Sequence, residues 1–190
     1  MKKGLNKTLS LITKVIEIVS WVGAAAGLVS FVGSLVDKSF IKELFLTEST
    51  ELPGICFSVD ALTETGDINY FAVSMFFIGL ALTFVLMAMI FRNINIILRT
   101  MLGKYKHAKG TSPFQKDVVR QIREIGIFSI AMPVLGLIIT TIINIVSKIN
   151  STPVEASVSF GGIIIGLVCL CLTQIFSYGA QLEEEVDGLL

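Results

Sequence analysis

The stretch RNINIILRTMLGKYKHAKGTSPFQKDVVRQIREI, residues 92–125, sets the architecture. It carries Arg92, Arg99, Lys104, Lys106, Lys109, Lys116, Arg120 and Arg123 against only Asp117 and Glu124. An uncharged apolar run, 71–91, leads into it, and another, 125–146, leads out. Cationic side chains beside membrane spans are held on the cytoplasmic side of a bilayer. A basic connector between two such runs therefore predicts both a membrane protein and its orientation.

Working outward, the rest of the chain repeats the pattern. Its 190 residues are 53% hydrophobic, and the mean hydropathy is +0.80. A soluble domain of this length spreads its charges along the chain. Here, Glu17 apart, they avoid four windows, about 15–36, 71–91, 125–146 and 158–177. Residues 18–36 run 19 positions without a charge, roughly 28 Å of helix and close to the hydrocarbon thickness. A secretory signal with cleavage near Ala24-Ala25-Ala26 is the competing reading, but the apolar run continues to Val36.

The polar segments sort by sign. The start has Lys2, Lys3, Lys7 and Lys14, so the start and the connector 92–124 together hold 12 of the 15 lysines and arginines. Segments 37–70 and 147–157 hold only Lys38, Lys42 and Lys148. This asymmetry predicts an all-α integral membrane protein, a four-transmembrane-helix bundle with both termini in the cytoplasm. The whole chain, 1–190, is then a single membrane domain. It has an outer loop at 37–70, a cytoplasmic loop at 92–124 and a cytoplasmic tail at 178–190.

Finer features follow. In the outer loop, Phe40, Ile41, Leu44 and Phe45 have helical spacing. Ile55, Phe57, Val59 and Ala61 alternate with Cys56, Ser58 and Asp60, a short strand pattern, and Thr65-Gly66-Asp67 reads as a turn. Pro133 interrupts the third span and frees a carbonyl one turn earlier, near Ser129.

Lipid tails are as apolar as leucine, so small residues must let helices approach. Gly23 and Gly27 form a GxxxG in the first span, continued by Ser30 and Ser34, and Gly162 and Gly166 form another in the fourth. The expectation is that these two spans cross closely. Asn144 and Gln174, the most polar side chains inside the runs, are read as interhelical hydrogen-bonding groups.

Two segments are candidates for interaction. Ser112, Pro113 and Gln115 have the pattern of a helix start with a capping box. Phe114, Val118, Ile122 and Ile125 then share one face, while Lys116, Arg120 and Arg123 take polar positions. This predicts a cytoplasmic amphipathic helix before the third span, lying on the inner leaflet and attracting anionic headgroups. The tail ends on Glu183, Glu184, Glu185 and Asp187. Carboxylates at a helix carboxyl end oppose the macrodipole and call for a positive partner. The basic helix of the same chain is one candidate, with Arg120 facing Glu184. A second copy, in a homo-oligomer, or a cytoplasmic protein are the others.

Enzymatic chemistry finds no footing. There is no phosphate loop, dinucleotide fingerprint, HExxH or GxSxG, and the lone His107 sits between lysines. Cys56, Cys169 and Cys171 are not spaced for a disulfide framework or a zinc site; Cys56 is placed outside, as a free thiol or a link between copies. Catalytic residues, metals, cofactors and direct nucleic-acid binding are not expected. The four runs hold no ionisable residue from position 18 onward, which disfavours a coupled transporter.

The segment from Ser112-Pro113-Phe114 to Arg123 and the ending Tyr178-Gly179-Ala180-Gln181-Leu182-Glu183-Glu184-Glu185-Val186-Asp187 carry a further signal. With four spans in this length, the chain resembles, nearly end to end, the bacterial membrane family of unknown function known as DUF2975. That resemblance implies a bacterial inner-membrane location and no established catalytic residue. Members are often encoded beside a small helix-turn-helix regulator of the Xre type, which implies a membrane partner for a transcription factor. The leading expectation is a sensor, or a membrane partner that sequesters such a regulator. Protection against membrane-active peptides, through the acidic outer loop, is the second. A small transport or channel subunit is the third.

Overall fold

The fold is described from a computed structural model. It describes residues 2–36, 51–63, 67–103, 114–150 and 155–187, without the side chains of 2–5 and 187. The predicted helix around 40–45, Thr65-Gly66, His107 and Ser112-Pro113 lie outside the described residues.

Four long helices dominate: α1 Lys2–Val36, α2 Tyr70–Met101, α3 Lys116–Ile149 and α4 Gly161–Asp187. Each is long and apolar enough to cross a membrane, and they pack as a bundle. The chain is a four-span membrane protein by this measure. The helices outrun the apolar windows. At 1.5 Å per residue, the 34 residues of α3 reach about 51 Å, against roughly 30 Å of hydrocarbon. Hydropathy marks the hydrocarbon, not the helix ends: lysine, arginine and glutamate are good helix formers, so nothing breaks α2 at Arg92. It ends instead at Gly103, whose φ of 67° is the left-handed conformation of a helix C-cap. Its amide donates to Thr100 O at 2.9 Å.

Three expectations are corrected. The basic amphipathic segment is not a separate helix on the bilayer surface; it is the first turns of α3, continuous with the third span. Val158 belongs to a strand, and the fourth span starts at Gly161. The fold is also not all-α. A three-stranded antiparallel sheet, in the order β1 (Glu51–Pro53), β2 (Phe57–Asp60), β3 (Ala156–Val158), joins the connector before α2 to the one before α4. Two three-residue edge strands are too short to show a period of two in the sequence.

The chain divides into two compact units. One comprises 1–20, 86–130 and 163–190, and the other 21–85 and 131–162. The second holds the aromatic core. Phe57 and Val59 of β2 turn inward onto Ala72, Val73, Phe76, Phe77, Ile139 and Ile143. Phe57 meets Phe76 edge to face, with ring centroids 5.6 Å apart. Gly79 makes room for it: a Cβ there would stand 2.6 Å from both Phe57 Cζ and Ile139 Cδ1. Asn69 caps α2, accepting from Ala72 N at 3.0 Å and donating to Ser147 Oγ at 3.2 Å. The strand pattern is displaced by the turn before β2: Cys56 is buried and Ile55 exposed.

The glycines mediate different pairs from those expected. Gly23 faces Phe84, and a Cβ at Gly27 would stand 3.0 Å from Ala81 Cβ, so the small stripe of α1 packs on α2. Ser34 continues it, with its hydroxyl 2.9 Å from Ser74. In the other unit, Gly166 of α4 packs on Ile130 and Gly126 of α3. The glycine-mediated crossings thus pair α1 with α2 and α4 with α3, rather than the first span with the fourth. Gly162 lies in the first turn of α4. In the unit comprising 21–85 and 131–162, Ser34 bonds Ser74 and Asn69 bonds Ser147 between elements, while in the other unit Gln174 is exposed.

These contacts rank two substitutions. A Cβ at Gly166 would stand 2.7 Å from the Gly126 carbonyl oxygen and overlap Ile130. A backbone oxygen cannot swing aside, so Gly166→Ala is expected to cost about 1–3 kcal/mol. The three atoms nearest a Cβ at Gly23 all belong to the Phe84 ring, at 3.0 Å, which can pivot, so Gly23→Ala should be near neutral. Thermal unfolding in detergent reads the difference; equal shifts would remove the α3–α4 crossing.

Candidate interaction surface at the start of α3 and the end of α4

The unit comprising 1–20, 86–130 and 163–190 brings together the two segments singled out from the sequence. Phe114, two residues before α3 begins, lays its ring against Phe176 of α4, with centroids 5.5 Å apart. Gly179 admits it: a Cβ at that position would stand 2.5 Å from Phe114 Cδ1. Two residues on, Lys116 Nζ lies 3.0 Å from Glu184 Oε2. An aromatic contact and an ion pair therefore clip the α3 start to the α4 end. Both partners of the ion pair are exposed, so solvent screening leaves it little weight, and the ring contact supplies most of the attachment.

Arg120 does not reach the tail. It bonds Glu124 one turn along its own helix, at 3.2 Å. Asn93 Nδ2 donates to the other oxygen of Glu124 at 3.0 Å, which ties α2 to α3. The expected Arg120–Glu184 pairing is corrected to Lys116–Glu184. Residue 116 begins the helix at the level of the tail, and residue 120 lies a full turn further along. Arg123, Glu183 and Glu185 are exposed, and Asp187 lies in the last turn of α4 with its side chain outside the described residues. Val118 is buried, as its apolar spacing requires, but so is Gln121. Gln121 Oε1 and Gln115 Nε2 have no hydrogen-bond partner among the described residues, an arrangement that costs about 1–3 kcal/mol per group.

Asn93, Glu124, Gly126 and Gly179 were not anticipated as contact residues. Asn93 and Glu124 looked like ordinary loop polars because the helices extend past the apolar windows. Gly179 carried a signal, a small residue in a helical stretch with an aromatic partner elsewhere, but its spacing alone names no partner.

A second polar group lies on the sheet of the other unit. Glu51 and Asp60 are register partners, and Asp60 N donates to Glu155 O at 2.9 Å. Partial burial, then the Glu155 and Glu51 carboxylates, push the Asp60 carboxyl above its ordinary value of 3.8. Nearby, burial raises the Cys56 thiol, with the Thr83 hydrogen bond a smaller opposing effect. Cys56 is free but buried, its Sγ 3.5 Å from Met132 O, so it is not placed to link two copies. Among the described residues, no group of three or more His, Cys, Asp or Glu is placed to hold a metal ion.

Comparison with protein-family models, with curated proteins and with solved structures finds no match to this chain.

Two outcomes test these surfaces. Phe114→Ala should lower stability by about 1–2 kcal/mol, a fraction of the value for a fully buried ring. A Lys116→Glu, Glu184→Lys cycle should show coupling below about 1 kcal/mol. Coupling larger than the Phe114 effect would assign the attachment to charge. On the sheet, a carboxyl with a raised folded value destabilises the fold once ionised, and stability returns as pH falls through that value. Asp60→Asn should therefore raise Tm near neutral pH. The gain should vanish below the ordinary value of 3.8, where Asp60 is protonated both folded and unfolded. A gain that persists in acid would assign the effect to something other than charge.

Proposed function

We propose that this chain is a non-enzymatic protein of a bacterial inner membrane, with both termini and the α2–α3 connector in the cytoplasm. Its role is to hold a small cytoplasmic helix-turn-helix regulator at the membrane. The orientation follows from the cation asymmetry. One observation carries the partner reading: Phe114, Phe176 and Gly179 fix the α3 start against the α4 end. That contact presents exposed Arg123, Glu183 and Glu185 as parts of one structured surface. DNA-binding proteins expose a basic face, and an acidic helix end complements it. Competition between the tail and DNA for that face would couple membrane to transcription. The resemblance to DUF2975 supports the same reading.

A second reading, protection against cationic membrane-active peptides, is favoured by the grouping of Glu51, Asp60 and Glu155 on the sheet. It is the weaker of the two. That group sets carboxylates against one another without an apolar companion surface of the Phe114 kind.

Crosslinking in cells followed by capture of the full-length chain tests the partner. A small helix-turn-helix regulator is expected in the wild-type eluate and reduced severalfold for Glu183→Lys/Glu185→Lys. On the same cells, an impermeant thiol reagent should reach Ser157→Cys directly and Glu185→Cys only after permeabilisation. Reversed labelling overturns the orientation. Correct labelling without any captured regulator overturns the partner.

A further inference from the structure

We propose that the cleft between α1 and α2, in the unit comprising 1–20, 86–130 and 163–190, binds the phosphate headgroup of an anionic phospholipid. Lys7 and Lys14 are seven residues apart on α1, and Arg92 and Arg99 are seven apart on α2. Seven residues are close to two turns, so each pair shares one helix face about 10 Å apart. The helices bring the faces together in opposite directions. A cavity of about 270 Å³ is lined by Lys7, Ser10 and Arg99, and its neighbour, of about 230 Å³, by Lys14, Arg92, Asn95 and Arg99. Each is several times the roughly 30 Å³ that a water occupies, and Arg99 belongs to both.

The charge in the cleft is unbalanced. Glu17, its one carboxylate, is already 2.9 Å from Lys14 Nζ. Lys7, Arg92 and Arg99 have no carboxylate within ion-pair distance among the described residues. Cations gathered without counter-charge repel one another until an anion joins them. Neutral donors complete the lining. Ser10 Oγ donates to Asn95 Oδ1 at 2.9 Å, which leaves the amide NH₂ of the buried Asn95 as a donor. Arginine suits phosphate because its planar fork can give two parallel hydrogen bonds.

The surroundings select a lipid over free phosphate. Leu11 follows Lys7, and Ile18 follows Lys14, by one helical turn on the same face. Both are exposed, at 66% and 52%. An acyl chain can lie along that apolar row while its phosphate meets the cations, the arrangement of basic pockets between membrane helices. Two neighbouring cavities that share Arg99 suit a lipid with two phosphates better than one with a single phosphate. The inference needs only that α1 and α2 cross a bilayer; it is independent of any regulator.

Native mass spectrometry of the full-length chain, released from mild detergent, tests it. The lipids supplied are phosphatidylglycerol, diphosphatidylglycerol and phosphatidylcholine in equal amounts. Retention of the anionic lipids about tenfold or more above phosphatidylcholine is expected, diphosphatidylglycerol highest. Arg92→Gln/Arg99→Gln should abolish that preference, Arg99→Lys should keep most of it, and Lys148→Gln, which is not among the lining residues, should leave it intact. Thermal unfolding confirms that each variant is folded, and Lys7→Gln, an exposed site, replaces the double variant if that one is not. Equal retention of all three lipids, or an undiminished preference in the folded variants, overturns the proposal. Displacement of the lipid by millimolar inorganic phosphate makes this a soluble-anion site and overturns it equally.

Discussion

Hydrocarbon solvates leucine as well as a protein interior does, so these helices gain little by hiding their apolar faces from it. What holds them is how closely their backbones approach, and glycine decides where. Gly27 lets α1 rest on Ala81 of α2, and Gly126 and Gly166 let α3 and α4 meet backbone to backbone. Leu11, Val29 and Ile164 stay on the surface because lipid, not protein, is their intended neighbour. The apolar windows of α2 and α3 are 44% and 39% buried, against 22% and 11% for α1 and α4. The sequence spacing that suggested a first-with-fourth crossing paired the two helices that bury least.

The second constraint is the cost of charge in hydrocarbon. It expels lysine, arginine and the carboxylates to the helix ends, where helical backbone continues because nothing in those side chains disfavours it. Charged residues are thereby mounted on rigid helix rather than on loops. Lys7 and Lys14, Arg92 and Arg99, and Lys116 and Glu184 all owe their fixed spacing to this extension. A side chain on a helix keeps its register with a partner on the next helix, so patterned surfaces become possible at the ends of an otherwise featureless apolar bundle.

How far the molecule was legible follows from which interactions have a period. The four spans were legible because exclusion of charge over some twenty positions has no other common cause. The β2 segment was visible through Phe57 and Val59, but its partners, three residues each, were not. β1 is too short to show a period, and the pairing of β2 with β3, about a hundred positions on, leaves no local trace. Phe114 and the acidic tail were legible as amphipathic ends. Which cation meets Glu184 was not, because choosing Lys116 over Arg120 requires the relative height of two helices. The basic cleft was illegible for the same reason: Lys7 and Arg99 belong to different helices, and only their juxtaposition gives them meaning.

The two units differ in how completely their interiors agree with the fold. The one built on Phe57, Phe76 and Ile143 is apolar and interlocked, its polar side chains Asn69, Ser74 and Thr83 each bonded locally or across helices. The other buries Glu17, Asn93, Asn95 and Gln121, groups that raise no stability unless fully paired. Asn93 is paired through Glu124 and Asn95 through Ser10. Among the described residues, Gln115 Nε2 and Gln121 Oε1 have no partner, and Lys7, Arg92 and Arg99 have no carboxylate within ion-pair distance. Among the described residues, the buried side-chain atoms without a partner fall in this unit, a local departure from self-consistency of the kind found where something else binds. Both surfaces assigned here, the clipped helix ends and the basic cleft, fall in that half.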